Sequence, residues 1–133
     1  MSDDDQSRED VRPFPFEGLH VYQRAQEAWA LARAAGEAGP FAVAVEREIR
    51  AAALGIARAT ARSRANGAFG TELEEARGAI HAAAALLEQA QRAGDTVDET
   101  LRALLHDGSR MLGALIRSLG QSRAEAIEEE VAA

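Results

Sequence analysis

Residues 101–120 read LRALLHDGSRMLGALIRSLG, and the spacing of the large apolar side chains in this stretch decides the fold. Leu101, Leu104, Leu105, Met111, Leu112, Leu115, Ile116 and Leu119 recur at the three- and four-residue steps that gather side chains on one side of a helix. The stripe predicts a helix over about 97–119, opened by TVDE as a capping box with Thr96 as cap and Glu99 three residues on, and stopped by Gly120.

The same pattern continues upstream. Leu73, Ala76, Ile80, Ala84, Leu87 and Ala90 mark a helix over about 71–93, with Thr71 as N-cap, Glu72, Glu74 and Glu75 in the first turn, and Gly94 closing it. Before it, ANGAFGT reads as a loop, because Asn66 and Gly67 leave right-handed space most readily. Val45, Ile49, Ala53, Ile56 and Thr60 define a helix over about 41–65. Val21, Tyr22, Ala25, Ala28, Trp29 and Ala32 define one over about 17–36, ended by GEAGP, with Pro40 suited to the first turn of the next helix.

The expected fold is therefore all-α: an antiparallel up-down-up-down four-helix bundle over residues 16–120. It is flanked by a flexible acidic segment, 1–15, and by an acidic tail, 121–133, that continues at most as frayed helix. Alanine and glycine on the inner faces let helices approach closely, with Trp29, Leu105 and Met111 filling the wider layers.

Composition supports the class. The chain has 133 residues, 47% of them apolar and only 5% aromatic, with three prolines. That is enough for one compact domain, and it favours helix over strand. No cysteine is present, which excludes disulfides and thiolate metal sites. No apolar run approaches a membrane span, and MSDDDQSRED lacks the basic and apolar regions of a signal peptide, so a cytoplasmic protein without a membrane partner is expected. The net charge of −7 belongs to the two ends, since residues 1–12 contribute −3 and residues 124–133 contribute −4. Every basic residue is arginine.

Catalytic chemistry is not expected. EGLH places Glu17 and His20 at the Glu-x-x-His spacing of di-iron bundles, but such a site needs two pairs and two further glutamates. His81 and His106 have no companion ligand at helical spacing. Serines lie in tails, helix ends or loops without a histidine pattern, and no glycine-rich phosphate loop is present. No catalytic residue, metal or cofactor follows from the residues.

The stretches FEGLHVYQRAQE, IRAAALGIARA, EEARGAIHAAAALLEQAQRAG and SRMLGALIRSLG together resemble a bacterial four-helix-bundle family first noticed as proteins encoded in intervening sequences of large-subunit ribosomal RNA genes. That family also includes the accessory variability determinant of diversity-generating retroelements. The points of contact are Phe16, Leu19, Val21, Tyr22 and Ala25, then Ala52, Ala53, Gly55 and Ile56 where the family reads Ala-Ala-x-Ser-Ile. They continue with Ala76, Arg77, Gly78 and Ala79 against Ala-Arg-Gly-Ser, and with Met111, Leu112, Leu115 and Ile116. The chain departs at Ala59, Thr60, Ala61, Arg62 and Ser63, where the family has Asn-Ile-Ala-Glu-Gly, and at Ala82, where it has glutamate. The resemblance implies a homo-oligomer, commonly a pentamer. For the retroelement branch it also implies a reverse transcriptase partner and nucleic-acid binding on a basic surface.

One feature of helix two fits that expectation. Arg47, Arg50, Arg58 and Arg62 fall within about 120° of one another at 100° per residue, opposite Ile49, Ala53 and Ile56. With Arg64 they make five arginines against two glutamates over residues 41–66. Two readings stand: a solvated face that meets acids of helix one, helix three or a neighbouring subunit, and a surface that holds RNA or DNA phosphates once repeated by oligomer symmetry. The competing class is an adaptor that binds another protein through its acidic tails or an exposed apolar patch.

Overall fold

The computed structural model describes residues 14–34, 40–62 and 67–132. A 3-10 turn, Pro15–Gly18, precedes four helices: α1 (His20–Ala34), α2 (Pro40–Thr60), α3 (Gly67–Arg92) and α4 (Glu99–Ala132). Each helix packs on its neighbours in the chain and α1 closes the ring against α4, giving the all-α four-helix bundle read from the sequence. The ends of α1 and α3 meet the starts of α2 and α4 around Ala32, Phe41, Leu87 and Leu101, as consecutive antiparallel helices require. Among the described residues no helix is long and apolar enough to cross a membrane.

The interior is built from one seam per helix. Val21, Ala25, Ala28 and Ala32 are buried on α1, and Val45, Ile49, Ala52, Ala53, Ile56 and Ala59 on α2. Phe69, Leu73, Ala76, Ile80, Ala83, Leu87 and Ala90 are buried on α3, and Leu101, Leu105 and Leu112 on α4. Nine of these twenty side chains are alanine, so the backbones approach closely and the few large residues, chiefly Ile49, Ile56, Leu73 and Leu112, supply the bulk. Trp29 and Met111 pack at the margin of the core rather than inside it. No polar or charged side chain is buried among the described residues.

Two glycines are explained by close approach. A Cβ on Gly55 would stand 3.4 Å from the Ala76 Cβ and 3.8 Å from its Cα, so α2 and α3 touch there almost backbone to backbone. Gly108 leaves room on α4 for Ile80, whose Cδ1 would lie 3.2 Å from an added Cβ.

Helix ends depart from the sequence reading, each for a local reason. The first helix proper begins at His20 rather than about 17, because Pro15–Gly18 forms a separate turn in which the Glu17 carboxylate accepts a hydrogen bond from the Phe14 N–H at 2.6 Å. Helix α2 stops at Thr60, not 65: the Thr60 hydroxyl donates to the Ala57 carbonyl, and Ala61 and Arg62 donate to the carbonyls three residues back.

Helix α3 begins at Gly67, within the expected loop, because Phe69 extends the apolar seam by one turn and is itself buried. Thr71 is therefore no N-cap; its hydroxyl donates to the Gly67 carbonyl inside the helix. Ala83, not Ala84, continues the seam, which keeps the 3-4 alternation from Leu73 to Ala90.

Gly94 does close α3. Its φ of 97° allows Asp95 to donate to Ala90 and Gly94 to donate to Gln91, the paired bonds of a Schellman ending. The cap of α4 is Asp98 rather than Thr96: its Oδ1 accepts from the N–H groups of Thr100 (2.8 Å) and Leu101 (3.3 Å). Gly120 does not stop α4, which runs to Ala132; its φ is not positive, and good helix formers follow it. Pro40 of GEAGP opens α2, as its fixed φ suits, while residues 36–39 of that ending, the start of the chain and Asn66 lie outside the described residues.

Candidate nucleic-acid interface

Helix α2 turns Arg47, Arg50 and Arg58 outward because their positions oppose its buried seam of Ile49, Ala53 and Ile56. None of the three makes an ion pair among the described residues, whereas Glu46 on the same helix is taken by Arg33 of α1 at 3.4 Å. The Arg58 guanidinium folds along its own helix and lies over Gly55, 3.6 Å from where a Cβ would stand.

Arg62 behaves differently. Its Nε donates to Glu72 Oε1 of α3 at 3.3 Å, so it ties the end of α2 to the start of α3. Arg64 lies outside the described residues. The face thus brings together Arg47, Arg50 and Arg58, and commits Arg62 to the fold. It also carries two large apolar side chains that solvent reaches, Val43 (50% exposed) and Leu54 (48%), at the helical positions between the arginines.

A second basic region, which sequence reasoning missed, lies where α3 meets α4. The groove there encloses about 420 Å³ and is lined by Arg77, His81, Arg102, His106, Ser109 and Arg110 with an apolar floor that includes Ile80 and Leu105. Arg77 Nε donates to Ser109 Oγ at 3.4 Å, and His81 Nε2 lies 2.7 Å from the same oxygen. Arg110 is held by Asp107 at 2.6 Å, and Arg102 reaches Gln91 at 3.4 Å. The sequence did contain a signal: Arg77 and His81 are four residues apart, and so are Arg102, His106 and Arg110.

Among the described residues no three His, Asp or Glu side chains are placed to hold a metal ion together. The Glu17 carboxylate of the Glu-x-x-His pair is turned onto its own backbone. His81 and His106, read from the sequence as isolated, both line the α3/α4 groove. Ser109, one of the serines expected to lie away from any histidine, sits in the middle of α4 beside His81 because the packing of α3 on α4 brings them together. Compared with known protein families, with curated proteins and with solved structures, the chain has no match.

Proposed function

We propose that the chain is a non-enzymatic, homo-oligomeric accessory bundle of the cytoplasm that contacts RNA or DNA phosphates through the outer face of α2. The observation that carries this reading is the set of three exposed arginines, Arg47, Arg50 and Arg58, on one helix face without an ion pair among the described residues. Unpaired arginines at an exposed, rigid helical spacing suit a backbone of regularly spaced phosphates. A symmetric assembly, a pentamer by the family resemblance, would repeat the face and sum its field. In that resemblance the protein partner is a reverse transcriptase. The face lacks aromatic side chains, so contact is with phosphates and not by base stacking.

The test is the salt dependence of binding to a single-stranded RNA and to a DNA duplex. Arg47→Glu, Arg50→Glu and Arg58→Glu combined should abolish binding. Each single Arg→Gln change should lower the slope of log affinity against log salt by about 0.7 to 0.9 for each phosphate left without its arginine. A wild-type protein that binds neither probe, or binds them without salt dependence, overturns the reading.

A second reading rests on Val43 and Leu54, exposed on the same face. Apolar side chains ringed by arginine suit a protein contact, in an adaptor without a nucleic-acid role. Leu54→Asp would then release the partner or dissociate the assembly, measured by solution mass, and the arginine substitutions would leave nucleic-acid behaviour unchanged.

A further inference from the structure

The α3/α4 groove contains an arginine, Arg77, whose charge no acid of the bundle neutralises among the described residues. Arg77 is half-buried, its guanidinium donates to the neutral Ser109 hydroxyl, and no carboxylate pairs with it among the described residues. Glu74, which lines the adjoining cavity with Arg77, makes no ion pair with it. No Arg77 nitrogen is both buried and unpartnered, so its Nη groups, free of any carboxylate among the described residues, stay open to an anion from solution.

A second guanidinium converges on the same place. Both meet over Gly113 of α4: a Cβ there would lie 3.1 Å from one Arg77 Nη and 3.4 Å from Arg117 Nη1. The two cationic heads are therefore no farther apart than those distances combined. Gly113 is buried, and its missing side chain is what lets the Arg77 head lie across α4.

The geometry points to a phosphate-binding site at the edge of this groove, over Gly113, with Arg77 and Arg117 as the charged forks and the Ser109 and His81 pair, which lines the groove, beside them. Two like charges held close are stabilised by an anion between them. With Arg77 Nε bonded to Ser109, the Nη groups of Arg77 and the guanidinium of Arg117 supply two forks of N–H donors from two helices, which suit the several oxygens of a phosphate group. The groove continues past Arg102 and His106, and its volume of about 420 Å³ leaves room for the body of a small phosphomonoester. This site shares no residue with the α2 face and does not depend on it.

The experiment follows thermal unfolding and arginine NMR shifts of the full chain during titration with inorganic phosphate, phenyl phosphate and a single-stranded oligonucleotide. Ionic strength is held constant with chloride. Saturable stabilisation by phosphate is expected, since a ligand of the folded state raises its stability. Arg77→Gln and Arg117→Gln should each weaken phosphate binding about tenfold or more, and Ser109→Ala less, while Arg24→Gln on α1 changes nothing.

Gly113→Ala is the sharpest variant. It removes a helix-weakening glycine but makes the Arg77 guanidinium shift by a few tenths of an ångström from its seat beside Arg117, so phosphate binding should weaken although the bundle stays folded. If Arg77→Gln does not fold, Arg117→Gln and Gly113→Ala carry the test. Preference for phenyl phosphate identifies a small phosphomonoester as the source; an oligonucleotide that depends on Arg77 and Arg117 identifies a nucleic-acid phosphate. No saturable response in the wild type, or an unchanged response in both Arg117→Gln and Gly113→Ala, overturns the site.

Discussion

Arg62 of α2 donates to Glu72 of α3 at 3.3 Å, so an arginine expected to face phosphates is engaged by an acid of the neighbouring helix. The pair is asymmetric. The Arg62 side chain is 45% exposed and that of Glu72 only 14%, and Glu72 Oε2 is buried without a hydrogen-bond partner among the described residues. Removing Arg62 leaves that carboxylate half-buried and alone, so Arg62→Ala should cost about 1–2 kcal/mol. Arg62→Glu should cost more, and the Arg62→Glu, Glu72→Arg exchange should recover part of it. Urea unfolding measures all three, and nucleic-acid affinity should respond to Arg58→Gln more than to Arg62→Ala.

The contact between Gly55 and Ala76 sets a limit on size. At 3.4 Å a methyl group just fits, so Gly55→Ala should be neutral or stabilise by up to about 1 kcal/mol through helix propensity. Gly55→Leu cannot be housed without parting α2 from α3, and should destabilise by about 2 kcal/mol or more. Thermal melts of the two variants should therefore move in opposite directions, or one should stay still while the other falls.

The α3–α4 connection depends on two residues with different chemistry. Asp98→Ala removes the acceptor for two N–H groups and should cost about 1 kcal/mol. Gly94→Ala places a side chain at a φ of 97° and should cost at least about 1 kcal/mol, although nothing surrounds the position that a methyl would strike. Thr96→Ala, by contrast, should be silent, and equilibrium denaturation separates the three.

Trp29 is the single tryptophan of the chain, and its Nε1 is buried without a hydrogen-bond partner among the described residues, with the Arg33 guanidinium 5.7 Å from the ring centre. Trp29→Phe keeps most of the ring packing and removes the unsatisfied donor, so its stability should stay within about 1 kcal/mol of wild type. Trp29→Ala should cost about 2 kcal/mol or more. Far-ultraviolet circular dichroism during unfolding measures both, since neither variant retains tryptophan fluorescence.

The fold was legible because the large apolar residues recur at helical spacing and almost nothing competes with them. Val45, Ile49, Ala53 and Ile56 are all buried as their spacing predicts. Helix ends were less legible because they are decided by neighbours: burial of Phe69 drew four expected loop residues into α3, and Asp98 took the capping role from Thr96.

The α3/α4 groove was hidden for a different reason. The four-residue steps of Arg77 and His81, and of Arg102, His106 and Arg110, show that each set shares a face. Whether those two faces meet depends on how the helices are rotated, and the seating of Ile80 against Gly108 fixes that rotation only in three dimensions. The commitment of Arg62 to Glu72 is likewise a relationship across a turn, invisible in the charge pattern of α2 alone.

An interior in which nine of twenty buried side chains are alanine has little with which to accommodate change. Alanine has no rotamers, so at those nine positions the core cannot relax by turning a side chain into a neighbouring well. More of the adjustment should then fall to whole helices, shifting against one another along the α2–α3 seam where Gly55 meets Ala76. Motion in this bundle should thus be collective and slow, reported by concerted hydrogen exchange along whole helices rather than by independent loosening of single residues.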